Sequence, residues 1–341
     1  MELKERLREL CLINGVSGDE DRVREYILGY AEKYCTCRTD PLGSLICFKN
    51  GKKQGKSLMI CAHMDEVGFI ITYINSDGTL QLRPVGGVDT TAAIGKQVIV
   101  GDPGIPGVIG STAIHNIPRS ERGKIPGWDS LYIDIGAADR EEAEKLISPG
   151  DCAYFDSDFT ELGGGSGIKS KAIDDRAGCA MMMELMAEEL EYDTYFVFNV
   201  QEEVGLRGSR ASAVSVAPDF ALVLESTTAG DIDGVQGAKR VCCLGGGAVV
   251  GFMDRSTVYD RELYRLAFDT AEEYGIPCQT KTMIAGGNDA GAIHVSAGGI
   301  RTLAVSVPTR YLHSASCVIK TEDLYSSYEL VKRLAARIPE V

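Results

Sequence analysis

The 341-residue sequence contains no apolar run approaching the roughly 18 to 20 residues of a membrane helix, so no span is expected. It is poor in basic residues: 35 Lys and Arg against 49 Asp and Glu leave a net charge of −14. Duplex binding wants a basic face, which argues against nucleic acid as the main partner. The opening MELKERLRELCLI lacks the apolar stretch and small-residue cleavage site of a secretory signal, and export by that route is not expected. No CxxC pair occurs, and the eleven cysteines are an odd count, scattered singly except for Cys35/Cys37 and Cys242/Cys243. The expectation is reduced, mostly buried thiols in a cytoplasmic protein, with no disulfide framework and no finger-like metal site. Gly245-Gly246-Gly247 is not followed by Gly-Lys-Ser/Thr, so a phosphate loop is rejected in favour of a turn or close backbone packing. Histidine is scarce, with four in the chain.

What is present suits a folded protein, since 44% hydrophobic and 25% charged residues allow a substantial core. The length fits two domains, or one carrying an insertion. Leu3, Leu7, Leu10 and Cys11 have helical spacing up to a break at Asn14-Gly15. Ser17 and Glu20 have the spacing of a capping box, ahead of an apolar stripe at Val23, Tyr26, Ile27 and Tyr30. The run SLMICA, residues 57–62, reads as a strand buried on both faces that ends at His63. Residues 72–163 change texture to short β-like runs separated by Gly and Pro, with one helix at 140–146, and are expected to form an inserted β-rich domain. Beyond the glycines at 163–165 an α/β pattern resumes. A helix near Asp174 carries Met181, Met182, Leu185 and Met186 as core, strands are expected at 195–200, 220–224 and 302–307, and helices at 261–274 and 321–338. This alternation predicts an α/β fold class: a mainly parallel sheet with helices on both faces, built from residues 1–71 and 164–341.

Chemistry-bearing residues gather at the ends of the expected strands. His63 follows 57–62, Glu202 and Glu203 follow 195–200, Glu225 follows 220–224, and His313 lies beyond 302–307. In an open parallel sheet these ends share one edge, where ligand sites are built. Asp174 and Asp175 stand at a helix start, which favours carboxylates. Two imidazoles with several carboxylates suit Zn²⁺ or a similar divalent ion, and a carboxylate can bridge two of them. Taken singly, each has a plainer reading: a hydrogen-bonded structural His, a helix cap at Asp174-Asp175, a solvated turn at Glu202-Glu203. Their coincidence on one edge favours a metal cluster. Asp65, two residues after His63, is placed to accept that imidazole's second N–H. His115, in the insertion, and His294, in an Ala/Gly-rich stretch, read as structural.

The segments AHMDEVG (62–68), KAIDDRAG (171–178), QEEVGLRG (201–208), LES (224–226), GGNDAGAI (286–293) and PTRYLHS (308–314) resemble, in order, the motifs of the tetrahedral aminopeptidases. These are di-metal enzymes of the glutamyl, leucyl and lysyl type. The resemblance implies that Asp174 bridges two metals, with His63 and Glu225 completing one site and Glu203 and His313 the other. It implies Glu202 as general base and acid toward a water between the metals. Glu225 stands where the family often has Asp, and either acid can bind zinc. Also implied are a dimerisation role for the insertion, assembly of dimers into a hollow tetrahedral dodecamer, and short peptides with a free N-terminus as substrates. Zn²⁺ leads as the metal, with Co²⁺ and Mn²⁺ able to use the same ligands. The rival readings are a related di-metal deacylase or carboxypeptidase, a glycoside hydrolase, which needs two carboxylates but not the two His, and a noncatalytic scaffold, which would lack the base or a ligand.

Overall fold

The computed structural model describes residues 2–120 and 122–341. Helices α1 (Leu3–Leu12) and α2 (Asp21–Ala31) lead into strands β1 (Thr36–Thr39), β2 (Leu45–Lys49) and β3 (Lys53–His63). The next stretch runs β4 (Gly68–Ile74), β5 (Leu80–Val85), α3 (Thr90–Ala93), β6 (Gln97–Val100), β7 (Ile105–Ser111), β8 (Leu131–Asp134), α4 (Arg140–Glu144) and β9 (Cys152–Phe155). Its six strands close an antiparallel barrel in the order β4-β5-β8-β7-β6-β9. After β10 (Thr160–Leu162) and β11 (Gly167–Ser170) come α5 (Ile173–Met186), β12 (Tyr192–Asn199), α6 (Arg207–Val216), β13 (Phe220–Thr228) and β14 (Ala248–Val250). The chain finishes with α7 (Arg261–Tyr274), β15 (Cys278–Thr280), α8 (Ala290–Ile293), β16 (Arg301–Thr309), β17 (Cys317–Lys320) and α9 (Thr321–Arg337).

The large sheet has the order β1-β2-β12-β3-β13-β16-β14-β15. Its central strands β12, β3, β13 and β16 are mutually parallel, while β2 joins β12, and β14 joins β16, antiparallel. The alternation of residues along these strands explains the layers. Leu58, Ile60, Phe196, Phe198, Leu222, Leu224, Leu303 and Val305 face one core with α1, α2, α5, α7 and α9. Their neighbours Met59, Cys61, Val197, Ala221, Val223 and Ala304 face a thinner core with Ala213 of α6 and Ala290 and Ile293 of α8. Both faces are covered, so the strands read as continuous apolar runs. The barrel encloses a separate core around Phe69, Leu82, Val98, Ile133 and Phe155. The methionines of α5 are fully buried in the larger core. No helix among the described residues is long and apolar enough to cross a membrane.

Three local expectations are corrected. Ser17 and Glu20 form no capping box: α2 begins without a side-chain cap, because Ser17 donates to Asp65 and Glu20 accepts from the Gln201 N–H. Glu225 does not follow a strand but lies inside β13, which continues to Thr228 by pairing with β16. The helix expected at 140–146 stops at Glu144.

Candidate metal centre and active site

The parallel strands deliver their C-terminal ends to one edge. His63 is the last residue of β3 and is in register with Asn199, the last of β12, three residues before Glu202. β13 pairs with β3 only as far as Val223 and Cys61, so Glu225 projects past its neighbour. His313 lies four residues beyond β16. Asp174 sits at the start of α5 in extended conformation (φ −82°, ψ 108°), with regular helix beginning only after Asp175, whose carboxylate accepts the Gly178 N–H at 3.0 Å. Gly178 is needed there: a Cβ would lie 2.8 Å from the Ala62 Cβ, where α5 crosses β3. Gln201 and His313 are both held at positive φ (55° and 58°), a conformation costing a non-glycine residue on the order of 1 to 3 kcal/mol that surrounding contacts must offset.

The structure brings His63, Asp174, Glu203, Glu225 and His313 onto one cleft, with Glu202 on its wall. Asp174 is central. Its Oδ1 lies 3.5 Å from His63 Nε2 and its Oδ2 lies 3.5 Å from His313 Nε2. His63 Nε2 is also 3.9 Å from Glu225, and His313 Nε2 is 3.3 Å from Glu203. Two groups of potential ligand atoms result, His63/Asp174/Glu225 and Asp174/Glu203/His313, each within 4.8 Å, and they share Asp174. A third, His63/Glu202/Glu203, overlaps them. Both imidazoles turn Nδ1 away from the cleft, His63 toward the Asp65 carbonyl and His313 toward the Gly87 carbonyl, each at 3.0 Å. Both therefore present Nε2 inward.

Asp65 is fully buried behind His63, but its carboxylate is not the nearer acceptor for the ring: it stands 3.4 Å from Nδ1, against 3.0 Å for its own carbonyl. That carboxylate is occupied by the Ser17 hydroxyl (2.6 Å) and by the N–H groups of Glu202 (3.0 Å) and Glu203 (3.1 Å). One side chain thus ties the β3 end to the Glu202-Glu203 turn. Burial alone would raise its pKa, but the bonds from His63, Ser17 and the backbone hold it below the usual carboxylate range.

The cluster is electrostatically unfinished. Burial pushes Glu202 and Glu225 well above the ordinary range, reinforced by surrounding carboxylates and opposed by His63. Burial works against charging His313, yet its bonds to Asp174 and Glu203 push it up to about 11; His63 is likewise raised against burial, by its bonds to Asp174 and Asp65. Asp174 Oδ1 and Glu225 Oε1 are buried without a hydrogen-bond partner. A buried carboxylate oxygen without a donor is costly, and a divalent cation is the partner this donor set fits.

Several participants escape the sequence patterns. Glu20, pushed up to about 7 by burial and by Asp65, supports the Gln201 backbone from 181 positions away. Asp289, within the GGNDAGAI segment, is buried beside Asn199 (2.8 Å), and its charge bears on Glu202. Glu66 and Lys171 form a buried ion pair next to Asp174, and Arg176 reaches the carbonyls of Leu10, Ile13 and Met64 to fasten the N-terminal segment to the β3 end. Arg310 makes a two-pronged bond to Asp231, and His115 and His294 lie outside the cleft-lining set.

A profile of the M42 glutamyl aminopeptidase family matches residues 43–330. A putative aminopeptidase of Acetivibrio thermocellus is 38% identical over 95% of this chain and 96% of its own. A glutamyl aminopeptidase of Lactococcus lactis and a lysyl aminopeptidase of Pyrococcus furiosus are each 31% identical, over 98% and 97% of this chain and 96% of their own lengths. Among solved structures, a tetrahedral aminopeptidase from a marine sediment thaumarchaeon superposes with a TM-score of 0.95 at 33% identity, covering 98% of this chain and 96% of its own. The Pyrococcus horikoshii TET1 peptidase, described as assembling into a tetrahedron or a large octahedral shell, superposes with a TM-score of 0.85 at 34% identity, over 98% and 99%. The chain belongs to the M42 glutamyl aminopeptidase family and is a metal-dependent aminopeptidase, an exopeptidase that hydrolyses peptides.

Proposed function

We propose that two divalent cations, Zn²⁺ first and Co²⁺ or Mn²⁺ as substitutes, are held by Asp174 in common, with His63 and Glu225 on one side and Glu203 and His313 on the other. The observation that carries this reading is the placement of the two Asp174 oxygens, each 3.5 Å from a different imidazole Nε2. When bound, the cation pair supplies Lewis acidity for the scissile carbonyl and for water. Glu202 takes a proton from the attacking water at its carboxylate and returns it to the departing amine. A carboxyl raised by burial suits both halves of that exchange at neutral pH. Asp65 holds the Glu202 backbone against the His63 loop, so the base stays in register with the ligands.

The substrates in this reading are short peptides with a free N-terminus, whose ammonium meets the acidic cluster of the cleft. The test is cleavage of peptides supplied with free and acetylated N-termini, by chelated enzyme before and after addition of Zn²⁺ or Co²⁺, with bound metal counted by mass spectrometry. Two metals per chain and metal-dependent loss of first residues from free peptides alone are expected. Cleavage of the acetylated set would favour the deacylase, and sugar hydrolysis surviving chelation the glycosidase.

For the architecture, we divide the chain into a discontinuous catalytic unit, residues 1–71 and 164–341, and an inserted unit, 72–163. The closed barrel supports this division, with its first strand opening slightly earlier, at Gly68. Ile114 and Ile125 are 66% and 69% exposed on the barrel's long connection, which supports a dimer contact there and assembly of dimers into a dodecamer. Light scattering on the purified protein tests it. The odd, scattered count of eleven cysteines without a CxxC pair supports a reducing, cytoplasmic setting.

A further inference from the structure

The cleft has a volume of about 500 Å³ and a lining of two chemical kinds. One is the acidic cluster. The other includes Thr228, Val241, Lys281, Ala285, Gly286 and Gly287, small or uncharged apart from one lysine. Lys281 is the single Lys or Arg among the residues lining the cleft, and it makes no ion pair among the described residues. A cation facing a cleft without a partner asks for an anion from the ligand.

The backbone around Lys281 is fixed from several directions. Its own N–H donates to Val250 of β14, and the Thr282 hydroxyl donates to the carbonyls of Ala238 and Val241. The facing segment, 229–247, is pinned by Arg310 to Asp231, by Asp231 to the Leu244 N–H, and by Gln279 to Cys243. Lys281 is therefore a partly buried residue on a held frame. Family membership does not decide the preferred first residue, since relatives of equal identity carry glutamyl and lysyl names.

We propose that Lys281 is the specificity-determining residue of the cleft: its ammonium receives a substrate carboxylate, supplied by the side chain of an acidic first residue or by the C-terminus of a dipeptide. This rests on the aminopeptidase reading above. The substrate then lies in the cleft with its α-amino group at the acidic cluster and its carboxylate at Lys281. A lysine as first residue would set two ammonium groups against each other.

The experiment compares kcat/KM on isosteric pairs, using metal-loaded enzyme. Glu-first against Gln-first peptides isolate the side-chain carboxylate; Leu-Gly against Leu-Gly amide isolates the terminal one. At least one ratio is expected to favour the acid about tenfold or more in the wild type, chiefly through KM. That ratio should collapse toward unity in Lys281→Gln, persist in Lys281→Arg and turn toward Lys-first peptides in Lys281→Glu. Which ratio moves identifies the source of the carboxylate. Both ratios near unity in the wild type, or unchanged in Lys281→Gln, overturn the proposal while leaving the aminopeptidase intact. Failure of metal-loaded wild type to cleave any free-N-terminus peptide overturns both.

Discussion

In the acidic cluster of the cleft Asp174, Glu203, Glu225 and His63 are buried or nearly so, His313 is about a third exposed, and the group is braced by neighbours from other elements; elsewhere in the lining one partly buried lysine stands on a frame of loops. Asp65 alone joins β3, the N-terminal segment and the Glu202-Glu203 turn, whereas Lys281 touches the fold through its backbone. The difference separates two tasks. Bond breaking needs ligand and base atoms fixed to fractions of an ångström, and the proposed ligands and base sit where four strand ends converge. Choice among substrates needs one charge in reach, and a loop following a short strand suffices.

Substitutions at the two places should therefore fail in different ways. The largest loss is expected for Asp174→Asn, which removes a charge shared by both clusters: both metals should be lost together and turnover with them. Normal metal stoichiometry in that variant would contradict a bridging role. Glu202→Gln should bind a full complement of metal and lose about 10²- to 10⁴-fold in kcat; loss of metal instead would make Glu202 a ligand, as its proximity to His63 and Glu203 allows. Asp65→Asn places an amide NH₂ against N–H groups that now donate to a carboxylate. A drop of about 10- to 100-fold in metal affinity is expected, read by competition with a chelator. None of these should shift the Glu-to-Gln preference, which is the property expected to change at Lys281.

The acidic cluster was also the more legible in the sequence, for a physical reason. Long parallel strands buried on both faces announce themselves as apolar runs, and their ends mark the functional edge, so His63, Glu202, Glu203 and His313 could be named from position. Glu225 was named although β13 runs through it, because the pairing with β16 that extends the strand is not visible locally. Ser17 and Glu20 show the opposite failure. Their spacing is that of a capping box, but tertiary partners took both side chains. Lys281 carries no local signal at all: it follows a three-residue strand, and the residues that line the cleft with it come from segments as distant as Thr228 and Val241.

The smallest expected effect tests whether the frame of the lysine is independent of the acidic cluster. Asp323, in the first turn of α9, accepts the Gly245 and Gly247 N–H groups at 2.7 and 2.8 Å. This holds a turn in which both glycines have φ of +80°, and a Cβ on Gly247 would sit 2.0 Å from the Pro277 carbonyl. Burial outweighs those two bonds and pushes the carboxyl up to about 6, above its unfolded value of 3.8. An acid raised in this direction binds its proton more tightly in the folded state. Its contribution to stability is full below pH 3.8 and is lost as pH rises through about 6. Asp323→Asn deletes that titration, so the melting temperature of the variant should vary less than the wild type between pH 4 and 7. Metal content should stay at the wild-type level, because no proposed ligand lies on this turn. A fall in bound metal would show that the two parts of the cleft are one mechanical unit after all.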